Sequence, residues 1–279
     1  MARSMTPAEK QFAKSNWPNI NPDGLIVTGE ATDVYNCLAW TLGITNSWVW
    51  PWSRPPVSKQ QFDVLYRSHG FDPAAAGTIA AFGNSGNQMT HGAISGAGHG
   101  PRWESKAGEW LRFQHGLGEM EGGNYGKTQG YYTKRPAAPA VQPAIRKPKG
   151  KPMKLSKDEA ALLGRLATGV DKTLAKQFDS AYQAWKADWA NPAVLLSSAP
   201  SDRRYSIHYL RLLQMGPAIL PLLMQKMQDN AGDFFALQAV DQLLPLSEIV
   251  SYDLDDPAVL LGEQGRAQAT VRRWLAYKA

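Results

Sequence analysis

Cysteine is the scarcest reactive residue in the chain, and its scarcity limits the sites that the chain can build. The 279 residues include one cysteine, Cys37. A single cysteine forms no disulfide within the chain and no cysteine-rich zinc site. The sequence therefore leaves two roles for Cys37, a small buried side chain or a reactive thiol.

Long hydrophobic runs are also absent from the sequence. No stretch approaches the roughly 18 consecutive apolar residues that a membrane-spanning helix requires. The first residues are charged and lack the apolar core of a secretory signal peptide. We therefore expect a protein with no integral membrane segment that is cytoplasmic at synthesis. By analogy with two-module bacterial effectors, export by a leaderless route is a further expectation.

Acidic residues are missing from one proline-rich segment, and this segment explains the net positive charge. Residues 134–154 carry seven lysines and arginines and no acid, whereas the whole chain has a formal net charge of +6. Because proline fixes φ and removes a donor, residues 135–152 are predicted to form an extended linker between residues 1–134 and 153–279. A basic arm that contacts nucleic acid or anionic lipid is the alternative. Outside this segment we expect no nucleic-acid partner.

Residues 1–134 are predicted to place two helices before an antiparallel sheet. The helical stretches cover residues 36–42 and 58–67, and each stops at or near a glycine. Short β-like runs separated by glycine and asparagine turns follow at 78–82, 89–95, 102–106, 110–115 and 125–132. Helices followed by a meander of strands indicate the α+β class.

Residues 153–279 are predicted to form an all-α domain. Phe178, Tyr182, Trp185 and Trp189 recur at helical spacing and mark one face of a helix. We expect this aromatic stripe to be core and not a ligand site. The domain is expected to bind a protein partner, such as an immunity, chaperone or delivery protein.

Cys37 lies where a helix is expected to begin. Asp33 and Asn36 are typical N-cap residues, so the thiol falls in or near the first helical turn. The unpaired N–H groups and the dipole at that end favour a thiolate and bind an oxyanion. The position suits a nucleophile, and a small packing residue is the alternative.

A thiol nucleophile needs a base, and His91 is the histidine best placed to supply one. It falls within a predicted central strand beside Gly92 and Ala93. These small neighbours leave room for another chain or a substrate to approach. A buried histidine of the core is the alternative.

The residue that orients the base is expected on the following strand. In an antiparallel pair, the residue numbers of paired positions have a constant sum. If the chain turns back through residues 96–100 and this sum is 195, His91 lies opposite Glu104. Positions that sum to 196 set it opposite Ser105. A carboxylate stabilises an imidazolium better than a hydroxyl does, but both residues remain candidates, and His115 is a third.

This order of residues resembles the papain-like superfamily in its bacterial NlpC/P60 and CHAP-type branches. In both, a cysteine opens a helix, a histidine follows on a strand and a polar residue lies on the next strand. The resemblance implies a papain-like domain with thiol hydrolase activity on amide or ester bonds. It makes Cys37 the nucleophile and His91 the base. NlpC/P60 enzymes often use a second histidine in the third position, and CHAP enzymes an acid or amide.

Short motifs between residues 25 and 130 are also similar to those of a poorly characterised bacterial family. Its pattern combines N-C-x-A-W, H-x-A and W-x-S-K-x-G. The chain matches these motifs at residues 36–40, 91–93 and 103–108. The similarity places the candidate cysteine and histidine in the first two motifs.

Aromatic residues near the cysteine are candidates for substrate binding. Trp48, Trp50 and Trp52 alternate around a proline and cannot all face one core, so they are candidates to wall a groove for an extended or glycan-bearing substrate. A packed loop over the sheet is the alternative. No glutamine of the papain oxyanion type precedes the cysteine, and Tyr35 and Asn36 are candidates for that role.

Three functions are compatible with these residues. The preferred one is a Cys–His amide hydrolase, a peptidase or a peptidoglycan amidase or endopeptidase, of the kind found in bacterial effectors and toxins. The second uses the same thiol for acyl transfer or for deamidation of a protein glutamine, and the third is a non-catalytic binding protein. Neither a metal nor a cofactor is expected, because Cys37, His91, His99 and His115 lack the spacing of a zinc site.

Overall fold

The computed structural model of the chain describes residues 2–51, 56–96, 102–136, 155–229, 231–245, 247–253 and 256–278. The chain divides into two compact units, Met1–Arg146 with Leu195–Ala199 and Lys147–Val194 with Pro200–Ala279. The first unit therefore includes a five-residue piece whose chain neighbours on both sides belong to the second. Apart from Arg135 and Pro136, the predicted linker at 135–152 lies outside the described residues.

Within the described residues, the first unit is built on an antiparallel sheet of eight strands. In chain order these are β1 (Arg3–Ser4), β2 (Ile26–Gly29), β3 (Phe71–Ala74), β4 (Ile79–Ser85), β5 (Gln88–Ser95), β6 (Trp103–Lys106), β7 (Arg112–His115) and β8 (Lys127–Lys134). Across the sheet the order is β1-β2-β7-β6-β5-β4-β8-β3. Because helices accompany this sheet, the predicted α+β class is confirmed.

The predicted meander is found only in the middle of the sheet. Strands β4 to β7 are neighbours in chain order, but β8 returns to pair with β4 and β3, and β2 pairs with β7. The sequence predicted a strand over residues 125–132 without identifying its neighbours. The residue pattern of a strand indicates which of its faces is buried, but it does not indicate which other strand pairs with it.

The helices described in the first unit are α1 (Pro7–Asn16), α2 (Cys37–Thr41) and α3 (Lys59–Ser68). Thr6 and Ser58 begin α1 and α3 with capping boxes, in which the N-cap side chain and the third helical residue bond each other's backbone N–H. The end of α3 is followed by Gly70 at φ 83°. The bounds of α3 agree closely with the predicted 58–67, whereas α2 is shorter than the predicted 36–42.

Both faces of the sheet are covered, so alternate residues of a strand enter different hydrophobic clusters. On the side that we call the Trp17 face, the buried cluster includes Trp17, Ala80, Phe82, Ala93, Phe113, Tyr125 and Leu196. On the opposite side, the Phe62 face, the cluster includes Cys37, Leu38, Phe62, Tyr66, Ile79 and Ala81.

Strands β5 and β6 pair briefly and then separate. Two register pairs join them, Ile94↔Glu104 and Ser95↔Trp103. The paired positions sum to 198, so both predicted sums, 195 and 196, are wrong. The observed register differs by three and two positions from the two predicted ones, and it decides which β6 residues share a face with His91.

Among the described residues, the regular elements of the second unit are all helices. Its α-helices are α4 (Lys157–Thr168), α5 (Lys172–Asp188), α6 (Pro192–Leu195, whose last residue belongs to the first unit), α7 (Ile207–Gln214), α8 (Leu220–Asp229), α9 (Leu237–Leu243), α10 (Pro257–Leu260) and α11 (Gly262–Lys278). The predicted aromatic stripe of α5 is buried, from Phe178 through Trp189. In the described part of the chain, no helix has the length and apolar character needed to cross a membrane.

Candidate active site

Cys37 is the first residue of α2 and is fully buried. The Asn36 side-chain oxygen accepts from the backbone N–H groups of Ala39 and Val49 at 3.1 and 3.2 Å, and its amide nitrogen donates to the Val49 carbonyl at 2.7 Å. Asn36 is therefore the N-cap, and it ties the start of α2 to residue 49. Because these backbone groups engage its amide, Asn36 holds the thiol in position and does not point to a substrate.

The Cys37 sulfur is surrounded by polar groups. The Ser198 hydroxyl oxygen lies 3.0 Å from it. The backbone N–H groups of Gly92 and Leu38 also bond to it, and the charge of Lys106 favours the thiolate. Burial nevertheless raises the pKa of the Cys37 thiol to about 11, because the loss of hydration outweighs these contacts. The thiol is therefore protonated at neutral pH.

His91, Ser105 and His115 form a chain of hydrogen bonds on the Trp17 face. The His91 Nε2 lies 2.9 Å from Ser105 Oγ, which lies 2.8 Å from Nε2 of His115. The His115 Nδ1 lies 2.7 Å from the Gly116 carbonyl oxygen. The structure thus brings the predicted base together with two of the three candidates for its partner, on strands β5, β6 and β7.

The two hydrogen-bonded histidines, His91 and His115, are both neutral at pH 7. Burial lowers the pKa of His91 well below its usual value, and the charge of His115 lowers it further. Burial also lowers the pKa of His115 to about 4. The His91 ring stacks on Tyr125 with the centroids 3.8 Å apart and the planes 7° from parallel. The stacked ring leaves the imidazole little freedom to turn.

The hydrogen-bond partners assign the tautomers of the two imidazoles. A carbonyl oxygen only accepts, so the proton of His115 is on Nδ1 and its Nε2 accepts from the Ser105 hydroxyl. Ser105 has one hydrogen to donate, so its oxygen accepts from the Nε2–H of His91. The Nδ1 of His91 is then a lone-pair acceptor, and it is buried without a hydrogen-bond partner among the described residues.

Cys37 and His91 approach β5 from different faces. His91 projects to the Trp17 face, where it packs against Phe82 and Tyr125. The next residue, Gly92, donates its N–H to the Cys37 sulfur. Gly92 points to the Phe62 face, because a Cβ added to it would lie 3.0 Å from Leu38 Cδ2.

Strands β5 and β6 are not paired at His91 and Gly92. No β6 pairing involves Gly92, so its N–H reaches Cys37 instead. The His91–Ser105 hydrogen bond spans the same two strands from the other face. In the described structure, no hydrogen bond joins the Cys37 sulfur to the His91 imidazole.

Glu104 does not contact His91, which corrects one of the two predicted partners. It lies on the Phe62 face, is buried, accepts a hydrogen bond from the Thr28 hydroxyl and forms an ion pair with Arg112, whose Nε is 3.1 Å away. The Arg112 guanidinium also lies over the Trp40 ring at 3.9 Å from its centroid. The observed register puts Glu104 and Ser105 on opposite faces, so only Ser105 can reach the base.

The predicted substrate-binding aromatics are buried. Trp48 is fully buried, and its indole N–H donates to the Ser198 carbonyl at 2.9 Å. Trp50 packs edge-on against Phe62 with the centroids 5.6 Å apart. Tyr35 accepts a hydrogen bond from an Arg112 side chain at 3.3 Å. Trp52 lies outside the described residues.

Lys106 is a buried residue of the site that sequence reasoning did not single out. Its ammonium donates to the carbonyls of Thr32, Gly108 and Trp110 at 3.0, 2.6 and 2.7 Å. Burial lowers the pKa of Lys106 to about 7, but three carbonyl acceptors match the three hydrogens of the charged form. Its place in the W-x-S-K motif was a signal, but the motif alone gave it no role.

Metal chemistry finds no support in the residues described. No group of three or more histidine, cysteine, aspartate or glutamate side chains that could hold a metal ion occurs among them. Cys37, His91 and His115 do not form such a group, and His99 lies outside the described ranges.

Comparison with known proteins adds one similarity. Residues 26–133 match the model of a family described as a domain of unknown function, DUF7689. The match covers the sheet from β2 nearly to the end of β8, with Cys37, His91 and Ser105 inside it. No curated protein matches the chain, and no solved structure does.

Proposed function

We propose that the first unit is a Cys–His thiol hydrolase of papain-like type that cleaves amide bonds. The observation that carries this proposal is the buried, unpartnered Nδ1 of His91, whose tautomer is fixed by Ser105 and His115. This nitrogen belongs to the residue next to Gly92, whose N–H holds the Cys37 sulfur. The nucleophile and the base of the proposal thus meet β5 at two consecutive residues, His91 and Gly92.

The proposed reaction begins with proton transfer from the Cys37 thiol to His91 Nδ1. The sulfur attacks the amide carbonyl carbon, and the carbonyl π-electron pair moves to the oxygen. The tetrahedral intermediate collapses as the C–N bond breaks, and the leaving nitrogen takes the proton from His91. A water molecule then attacks the thioester carbonyl carbon while His91 takes its proton. The C–S bond breaks, and His91 returns the proton to the sulfur, which releases the acid and restores the thiol.

The burial of His91 and Cys37 favours proton transfer from the thiol at the moment when the sulfur attacks. It disfavours a thiolate–imidazolium ion pair in the resting protein. Burial keeps both the thiol and the imidazole neutral at rest, because it raises the pKa of Cys37 and lowers that of His91. When His91 becomes an imidazolium, its Nε2–H still donates to Ser105. Ser105 and His115 therefore act as positioning residues that present Nδ1.

The papain-like assignment of the fold belongs to the same proposal. Three features of the first unit support it: Cys37 at the start of α2, His91 on β5 and Ser105 on the adjacent β6. The matched family is described without a function, so the proposal depends on this geometry.

Acetylation of the thiol by p-nitrophenyl acetate tests the proposed activity on the full chain. We expect the acetyl group on Cys37 by mass spectrometry, followed by its loss as acetate at neutral pH. His91→Gln should slow both steps strongly at neutral pH, and His208→Gln in the second unit is the matched control. Equal acetylation in the wild type and His91→Gln would contradict the proposal. If the acyl group leaves to an added amine and not to water, the activity is acyl transfer.

A further inference from the structure

Residues Leu195–Ala199 form a short strip of chain that is built into the first unit. Leu196 and Ser198 are fully buried. Leu196 packs in the cluster of the Trp17 face, while Ala199 packs against the cluster of the Phe62 face, which contains Cys37. The strip therefore reaches both faces of the sheet beside the candidate thiol.

The backbone of the strip is held by donors from three separate parts of the first unit. The Glu109 N–H donates to the Leu195 carbonyl at 2.8 Å. The Tyr125 hydroxyl donates to the Leu196 carbonyl at 3.1 Å, and the Trp48 indole donates to the Ser198 carbonyl at 2.9 Å. Hydrogen bonds to main-chain carbonyls together with one buried aliphatic anchor are the contacts by which a groove recognises a peptide segment.

Gly108 shows how closely the groove fits this strip. A Cβ at Gly108 would lie 2.2 Å from the Leu195 carbonyl oxygen and 2.6 Å from the Leu196 carbonyl carbon. Its φ of +53° is also a conformation that favours glycine. The glycine of the W-x-S-K-x-G motif thus provides the space through which Leu195 and Leu196 pass.

The strip covers the Cys37 thiol, but the group next to the sulfur is not a peptide bond that the thiol could attack. The group at the Cys37 sulfur is the Ser198 hydroxyl, 3.0 Å away. The Ser198 and Leu196 carbonyl oxygens are bound to Trp48 and Tyr125 and not to the site of attack. The exposed fraction of Cys37 is 0%.

We propose that residues 195–199 are an internal pseudosubstrate that occupies the peptide-binding groove beside Cys37 and shields the thiol. The peptide that fits this groove has a leucine-sized aliphatic residue two positions before a small residue next to the sulfur. The assignment of the groove to substrate rests on the proposed hydrolase, whereas the shielding of the thiol does not.

Alkylation kinetics of the full chain test the shielding. Cys37 is the single cysteine, so iodoacetamide labelling followed by mass spectrometry reports on one site. Leu196→Ala removes the buried anchor and should raise the labelling rate by about tenfold or more, because local opening of the strip becomes easier. Leu111→Ala is the matched control, since Leu111 is a buried leucine of the same cluster outside the strip. Equal rates in the two variants would overturn the proposal.

A peptide supplied in trans tests the groove itself. A synthetic peptide with the sequence of residues 193–200 should slow labelling of the Leu196→Ala chain. The same peptide with aspartate in place of its Leu196 equivalent should not, because a carboxylate is costly to bury in an apolar cluster. Absence of protection by the first peptide, or equal protection by both, would overturn the pseudosubstrate.

The labelling assay also separates this proposal from the proposed activity. If Leu196→Ala accelerates labelling while no variant hydrolyses p-nitrophenyl acetate, the shielding is correct and the hydrolase is wrong. If the wild type hydrolyses the ester and Leu196→Ala changes neither rate, the hydrolase is correct and the shielding is wrong.

Discussion

Each of the two units contains a histidine that is hydrogen-bonded to polar side chains, His208 in the second unit and His91 in the first. The two hydrogen-bonded clusters differ in whether a buried nitrogen is left without a partner among the described residues. In the second unit, His208 Nδ1 lies 2.9 Å from Asp188, which also accepts from the Ser206 hydroxyl. Ser206 in turn caps α7 by accepting from the N–H groups of His208 and Tyr209. In the first unit, the bonds of His91, Ser105 and His115 end at His91 Nδ1, which has no hydrogen-bond partner among the residues that the structure describes.

The difference in burial explains why a histidine bonded to a serine or a carboxylate is interpreted differently in the two units. The His208 and Asp188 side chains keep 29% and 38% of their surface exposed, so water satisfies what the protein does not. His91 has no exposed surface, and an unsatisfied buried polar atom costs about 1–3 kcal/mol. A helix cap explains the cluster at His208, whereas in the proposed function the unpaired Nδ1 of His91 serves as the proton acceptor.

The sharpest way to break this comparison is to remove the two reacting groups separately and together. Cys37→Ala and His91→Gln should each lower ester turnover by about 10³-fold or more, and the double variant should be hardly worse than either, because the residues act as one unit. His208→Gln should leave turnover within about twofold, as expected for a surface cap. Additive losses from Cys37 and His91 would mean that the two residues do not share a step.

The hydroxyl groups of the two units provide the next contrast. Ser105→Ala should lower turnover by about 10²-fold, because His91 loses the acceptor that fixes its tautomer. Ser105→Thr keeps a hydroxyl and should restore most of the rate, provided that its melting temperature matches the wild type. Ser206→Ala should cost about 1 kcal/mol of unfolding free energy through the lost cap and leave turnover unchanged. Equal turnover in Ser105→Ala and the wild type would remove Ser105 from the site.

A smaller effect should appear in the pH dependence of stability. The pKa of His115 is about 4 in the folded chain and near 6.5 when unfolded, so the unfolded state binds the proton first as the pH falls. Stability should decline from about pH 6.5 toward 4, with about 2 kcal/mol lost to His115 at pH 5. Urea unfolding at pH 7 and pH 5 measures this loss, and His115→Gln should reduce it. An unchanged loss in His115→Gln would mean that His115 is not buried neutral.

Some local features of the first unit were predicted from the sequence, whereas α1, β2, β3 and the long-range strand pairings were not. Capping and a terminal glycine located α3 to within one residue. His91 was correctly placed inside a strand, but the choice between Glu104 and Ser105 depended on a register shift that turn composition does not fix. Ser105 and His115 became partners only once β5, β6 and β7 were aligned.

The contact between Cys37 and Ser198 shows the limit of sequence reasoning most clearly. The two residues are 161 positions apart, and Ser198 lies between stretches of the helical second unit. Nothing in local propensity assigns residues 195–199 to a different unit from their neighbours. The close approach at Gly108 was visible in the sequence only as a glycine within a motif.

The pH profile of Cys37 acetylation tests most directly the claim that His91 is the base for this thiol. The wild type and His91→Gln are compared over about pH 6 to 10 with p-nitrophenyl acetate. In His91→Gln the rate should rise about tenfold per pH unit, because only the ionised thiol reacts and its pKa is raised to about 11. The wild type should react much faster at neutral pH and depend far less on pH. Two profiles that superimpose across the range would contradict the account.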